Sequence, residues 1–164
     1  MPATDALLWL HGTPATPSNV FTSTSSNYSD NEIDFGAVVA GTSYPYIPQF
    51  PSATEKGYTF PPEQPGNAGV EQGVHVIIAV AIVAGSMTAA TINVVSDATS
   101  SATDVIASRT FTLAQVETAG IHLYIPVTGP AVLRYLRANF LGVTAACSSG
   151  TAWAWYGPKT GGEQ

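Results

Sequence analysis

A chain of 164 residues fits one domain and can bury a sizeable core without staples. Charged residues make up only 10% of it and hydrophobic residues 45%, against about 25% charged in typical soluble domains, so Thr, Ser, Asn, Gly and Pro must cover most of the surface. Five basic residues and a net charge of −6 argue against a nucleic-acid groove or an anionic membrane as partner, since both need clustered Lys and Arg.

The first apolar run, Ala6 to Leu10, follows Asp5 and has no basic flank, which does not fit a secretory leader. Leu7 to Leu10 reads as a short strand. Thr13 to Asn31 is rich in Ser, Thr and Pro. It is expected to be extended and partly ordered, anchored by Val20, Phe21 and Tyr28, and closed by Ile33-Asp-Phe-Gly36. Tyr44 to Gly73 carries Pro45, Pro48, Pro51, Pro61, Pro62 and Pro65 among Tyr44, Tyr46, Phe50, Tyr58 and Phe60. Proline removes a backbone donor and restricts its neighbour, so neither an interior strand nor a long helix fits there. The aromatic content predicts a long ordered loop or arm, lying along its own domain or a neighbouring subunit.

From Val74 the pattern is regular. Val74 to Val83 reads as a buried strand covered on both faces, and Gly85-Ser86 as a turn. Ala90 to Val95 predicts a strand with Thr91, Asn93 and Val95 on one face and Ile92 and Val94 on the other. Ser96 to Thr103 is a polar loop, and Asp104 to Thr112 a further strand. Thr112-Leu-Ala-Gln115 has the form of a helix start, with Gly120 to stop it, and leaves room for one helical turn. Ile121 to Val127 alternates as a strand, Gly129-Pro130 turns, and Val132 to Val143 is a long strand. Ser148 to Gly150 turns again, Thr151 to Tyr156 is the last strand, and Gly157-Pro158 ends order. Short turns between six to eight strands predict an all-β, jelly-roll-like antiparallel sandwich with a long Pro-rich arm. It forms one domain, 1–164: an N-terminal strand and extended segment (1–36), the Pro- and aromatic-rich insertion (44–73), the core strands (74–157) and a tail (158–164).

The motifs of catalysis are missing. His11, His75, His122 and the single Cys147 lie in no nucleophile signature, and Gly-x-Ser-x-Gly, the P-loop and the dinucleotide fingerprint do not occur. Cys147, beside Ala145 and Ala146, reads as a small hydrophobe at a strand end; alone it makes no intrachain disulfide. The densest acidic stretch, Asp30-Asn-Glu-Ile-Asp34, offers hard oxygens for Ca²⁺ but lacks the glycine and distal Glu of an EF-hand, so a solvated turn is expected there. No catalytic residue, cofactor or metal is therefore assigned. Arg134 and Arg137 are expected on opposite faces of one strand, explicable by salt bridges within an assembly. Trp153 and Trp155 share a face of the last strand. Such a pair serves core or interface packing, or, in the alternative reading, a carbohydrate-binding module. A hydrolase of unknown type would need a convergent polar pocket.

Four segments carry a family likeness. Asp104-Val-Ile-Ala-Ser-Arg-Thr-Phe-Thr-Leu-Ala-Gln115, Gly120-Ile-His-Leu-Tyr-Ile-Pro-Val127, Leu133-Arg-Tyr-Leu-Arg-Ala-Asn-Phe140 and Thr151-Ala-Trp-Ala154 together resemble the capsid cement (decoration) proteins of short-tailed bacteriophages. Asn31-Glu-Ile-Asp-Phe-Gly36 resembles that family's Asn-x-hydrophobic-Asp-hydrophobic-Gly box. The likeness covers about two thirds of the chain, and Tyr44 to Gly73 has no counterpart in it. The resemblance implies a jelly-roll virion protein on the outer capsid surface that bridges and stabilises the major capsid protein lattice. It also implies self-association as a homodimer or homotrimer, and no catalytic residues. Under that reading the expected interface residues are Tyr44, Tyr46, Phe50, Tyr58, Phe60, Trp153 and Trp155.

Overall fold

The computed structural model describes residues 9–34, 72–127 and 133–159. The expected arm residues Tyr44, Tyr46, Phe50, Tyr58 and Phe60, the Gly129-Pro130 turn and residues 160–164 lie outside the described residues. Among the described residues nine strands and one short helix follow in order: β1 (Trp9–His11), β2 (Ser18–Asn19), β3 (Ile33–Asp34), β4 (Gln72–Val83), β5 (Ala89–Asp97), β6 (Val105–Thr112), α1 (Leu113–Val116), β7 (His122–Val127), β8 (Tyr135–Val143) and β9 (Ser149–Pro158).

The strands form two antiparallel sheets packed as a sandwich, so the class is all-β. The first sheet runs β1-β9-β4-β7, with β2 also paired to β9; the second runs β3-β8-β5-β6. Alternation decides what each strand buries. Val74, Val76 and Ile78 of β4, Leu123 and Ile125 of β7 and Ala152, Ala154 and Tyr156 of β9 face inward. Ala90, Ile92 and Val94 of β5, Phe111 of β6 and Leu136, Ala138 and Phe140 of β8 meet them from the other side. Small residues in β8 and β9 leave room for the phenylalanines, as close packing requires.

The N-terminal segment is anchored much as its sequence predicts. Val20 and Phe21 are fully buried, and Phe21 meets Phe140 edge to face at 6.0 Å. Tyr28 lies under the Arg137 guanidinium, 3.7 Å from ring centroid to Cζ. The segment then takes up the outer edge of β8: Phe140 N–H donates to Asn27 O, Gly142 N–H to Ser23 O, and Ser29 N–H to Ala138 O, at 2.8–2.9 Å.

Several boundaries differ from the sequence expectations. Among the described residues the first strand is Trp9–His11, one residue past the expected end at Leu10, and Leu7 and Leu8 lie outside the described residues. Gln72 and Gly73 belong to β4 rather than to the Pro-rich insertion, and Gly157 and Pro158 to β9 rather than to an ending and a tail. These residues pair with one another, Gln72 with Pro158 and Gly73 with Gly157. Pro158 is tolerated because it is the last residue of its strand, and Pro126 because β7 is an edge. Leu133 and Arg134 precede β8, which starts at Tyr135. Double coverage of β4 holds only over Gly73–Val76; beyond it Val80 and Val83 are exposed. The single helical turn forms as expected, with Thr112 N–H donating to Gln115 Oε1 at 3.0 Å, and Gly120 follows it with φ +81°.

Candidate interaction surface

The outward face of the first sheet collects Trp9, Trp153 and Trp155, which are all three tryptophans of the chain, with His75, His122 and Tyr124. Register explains why. In β9, Ala152, Ala154 and Tyr156 point inward, so Trp153 and Trp155 point outward. Pairing sets Trp155 between Trp9 of β1 and His75 of β4, and sets Trp153 beside Ile77. On the far side of β4, His75 faces Tyr124 and Ile77 faces His122. A row of rings therefore crosses four strands.

The rings touch. Trp153 and Trp155 lie 4.9 Å apart at 20° between planes, and Trp9 meets them edge-on at 5.5 and 6.1 Å. His75 is nearly parallel to Trp155, at 4.7 Å and 7°. Ring-on-ring packing of this kind contributes about 0.5–1.5 kcal/mol per pair beyond area burial, so the row holds a defined shape. Lys159 caps one end, its Nζ 5.4 Å from the Tyr124 ring centroid.

Within the row, His75 Nδ1 and His122 Nε2 are 2.9 Å apart, and His75 Nε2 is 3.3 Å from the Gly157 carbonyl. A carbonyl only accepts, so Nε2 of His75 carries the proton and its Nδ1 accepts from His122 Nε2–H. Both nitrogens of the fully buried His75 are thus committed, which is a structural role rather than that of a general base.

The sequence pair Trp153 and Trp155 falls on this surface as expected. Sequence reasoning missed Trp9 and the His75–His122 contact. The outward phase of each residue was readable from alternation, but which strands are neighbours was not.

The remaining reactive groups serve the fold. Cys147 Sγ donates to Val20 O at 3.1 Å, and burial raises its pKa, which keeps it in the inert thiol form. His11, the last residue of β1, is buried. Its Nε2 donates to Asn19 O at 3.0 Å, while its Nδ1 accepts from Asp30 N–H at 3.3 Å. Burial lowers its pKa, against the opposing pull of Asp30 and of the backbone carbonyls of Asn19 and Ser18.

The acidic stretch is spent on internal contacts. Asp30 accepts from Gly12 N–H, Glu32 from Ser101 and Ala102 N–H, and Asp34 from Arg134 through two bonds of 2.8 and 2.9 Å. Arg137 donates to Ala102 O at 2.6 Å. Arg134 and Arg137 thus have partners within the chain. Among the described residues no group of three or more His, Cys, Asp or Glu side chains could hold a metal ion.

What fold and surface define together is a class: an all-β sandwich with an outward aromatic row on a rigid sheet. The chain matches no protein-family model and no curated protein.

Proposed function

We propose that this chain is a structural virion protein that binds the outside of a phage capsid and bridges its major capsid protein subunits. The observation that carries the reading is the outward row of Trp9, Trp153 and Trp155, backed by His75, His122 and Tyr124. Preordered aromatic side chains give contact area at low entropic cost, as interfaces favour. The segments that resemble cement proteins hold architecture in this chain. Glu32 and Asp34 of the Asn31–Gly36 box bind residues 101–102 and Arg134, and Leu133–Phe140 supplies β8.

Strand order supports the jelly-roll form of the sandwich. Among the described residues the chain crosses between sheets from β2 to β3, β3 to β4, β4 to β5, β6 to β7, β7 to β8 and β8 to β9; β1 and β2 share an edge of the first sheet, and β5 and β6 form a hairpin in the second. With β1 and β2 sharing one edge of the five-stranded first sheet, two layers four strand positions wide and wound in this way are what a pair of Greek keys produces.

A cement protein stabilises a shell by binding the assembled lattice better than free subunits, and linked copies raise the effective concentration of each further contact. The test is co-sedimentation with particles of the phage that encodes the chain. The wild-type chain is expected in fixed stoichiometry with the major capsid protein. A folded Trp9→Ala/Trp153→Ala/Trp155→Ala variant is expected to be lost from the pellet. Absence of the chain from purified particles refutes the proposal.

The same indoles carry a second reading, a carbohydrate-binding module. It requires ring faces open to sugars, whereas here the rings pack largely on each other. A glycan array with no hits for the wild-type chain removes it.

A further inference from the structure

Strand edges expose unpaired N–H and C=O groups, and proteins usually protect them. Three of the four sheet edges here carry a recognisable device. On the first sheet, the β1/β2 edge is cut into strands of three and two residues with a register shift between Trp9 and His11. On the opposite edge, β7 contains Pro126, and its Tyr124 carbonyl accepts from Arg109 Nη1 at 2.8 Å. On the second sheet, β3 has two residues, and the backbone of residues 23–29 occupies the rest of the β8 edge.

Among the described residues the fourth edge, β6, has no such device. It runs for eight residues, Val105–Thr112, without Pro, Lys, Asp or Glu. Its one charged side chain, Arg109, reaches across to β7. Among the described residues no strand pairs with β6 on the side away from β5.

We infer that β6 pairs with the β6 strand of a second copy of this chain, antiparallel about a twofold axis, so that two four-stranded sheets run on as one. Two observations select this occupant. The seam carries no acidic side chain, and its one cation, Arg109, is turned onto the Tyr124 carbonyl of β7; Val105 is 56% exposed, and the exposed Ser108 and Thr110 are already held on their own sheet by Asn93 and Thr91, at 2.7 and 2.9 Å. A chain with a net charge of −6 therefore meets its copy here without carboxylates in contact. The exposed Asp104 sits just outside one end of β6. Antiparallel pairing keeps the two Asp104 side chains at opposite ends of the seam, whereas parallel pairing would set them side by side. An antiparallel, self-complementary contact is isologous, which gives a dimer and not a trimer.

The inference stands without the capsid reading, because its test contains no capsid. Light scattering on the eluting full-length chain is run at about 100 µM, a concentration suited to an interface smaller than the ~1,600 Å² of stable complexes. The wild-type chain is expected as a dimer. Ser108→Lys, at an exposed position, is expected to be a folded monomer, as is Ser108→Glu. Mixing the two variants is expected to restore a dimer, which a merely unfolded variant would not do. A monomeric wild type, a Ser108→Lys variant that stays dimeric, or folded variants that fail to reassociate on mixing would each overturn the inference.

Discussion

Glu32 ties the N-terminal segment to the second sheet, and its removal is the sharpest test of how the sandwich is held. Its carboxylate accepts from Ala102 N–H at 2.7 Å and from Ser101 N–H at 3.0 Å. Ser101 sits at φ +68°, a conformation an L-residue avoids. Arg137 closes the arrangement by donating to Ala102 O while lying over Tyr28. In Glu32→Ala both acceptors are lost. Water can replace the one at the exposed Ser101, so that bond counts for about 1 kcal/mol. Ala102 is fully buried, and its stranded N–H costs about 2 kcal/mol more. The expected loss is about 3 kcal/mol, or roughly 6–12 °C in Tm for a domain of this size. Glu32→Gln keeps one acceptor for Ala102 and is expected to lose about half as much. Urea unfolding followed by tryptophan fluorescence measures both. A Glu32→Ala variant within about 0.5 kcal/mol of wild type, the range of ordinary surface substitutions, would refute this account.

Two further outcomes follow from packing and from protonation. A Cβ added at Gly142 would stand 2.2 Å from Ala145 O and 3.1 Å from Met87 Sδ, so Gly142→Ala should cost about 2–3 kcal/mol in thermal or urea unfolding; Gly120→Ala, with open space around it but φ +81°, should cost about 1 kcal/mol. Burial depresses the His11 pKa below 6.5 in the folded chain, so the unfolded chain binds the extra proton first as pH falls. The stabilising effect of keeping His11 neutral is complete above pH 6.5 and is lost progressively below it. Urea midpoints between pH 7 and pH 5 should therefore fall more for wild type than for His11→Gln, and parallel curves would contradict the assignment.

Much of the fold was legible because alternation in β5, β7, β8 and β9 is close to ideal. Ile92 and Val94, Leu123 and Ile125, Leu136 and Ala138 all point inward as their phase requires. The short helix was legible because Thr112 and Gln115 stand at capping distance. Strand ends were misread where glycine and proline punctuate the chain. Gly73 resembles a terminator, yet it is glycine because a Cβ there would stand 2.5 Å from the Tyr124 ring and 2.4 Å from Ile125 O. Close approach of strands, not a turn, demands it. The candidate surface was only partly legible for a different reason. Trp153 and Trp155 share a strand, so their common face follows from spacing alone. Trp9, His75 and His122 reach them through pairings between residues far apart in the chain, and no local pattern encodes which strands become neighbours.

Among the described residues the four basic side chains, and Asp30, Glu32 and Asp34, hold the chain's own segments. Arg134 is engaged by Asp34, Arg137 by Ala102 O and the Tyr28 ring, Arg109 by Tyr124 O, and Lys159 lies against Tyr124. Asp30 and Glu32 bind backbone N–H groups of distant segments. Charge committed in this way contributes little to long-range steering or to ionic recognition of a partner. The outward face of the first sheet instead carries the half-buried Trp9, Trp153 and Trp155, and the second sheet carries Thr, Ser and Asn hydroxyls and amides. Such surfaces adhere through area and fit, with weak distance dependence on charge. That suits the proposed role, in which the chain docks once at many equivalent positions on a lattice and remains there.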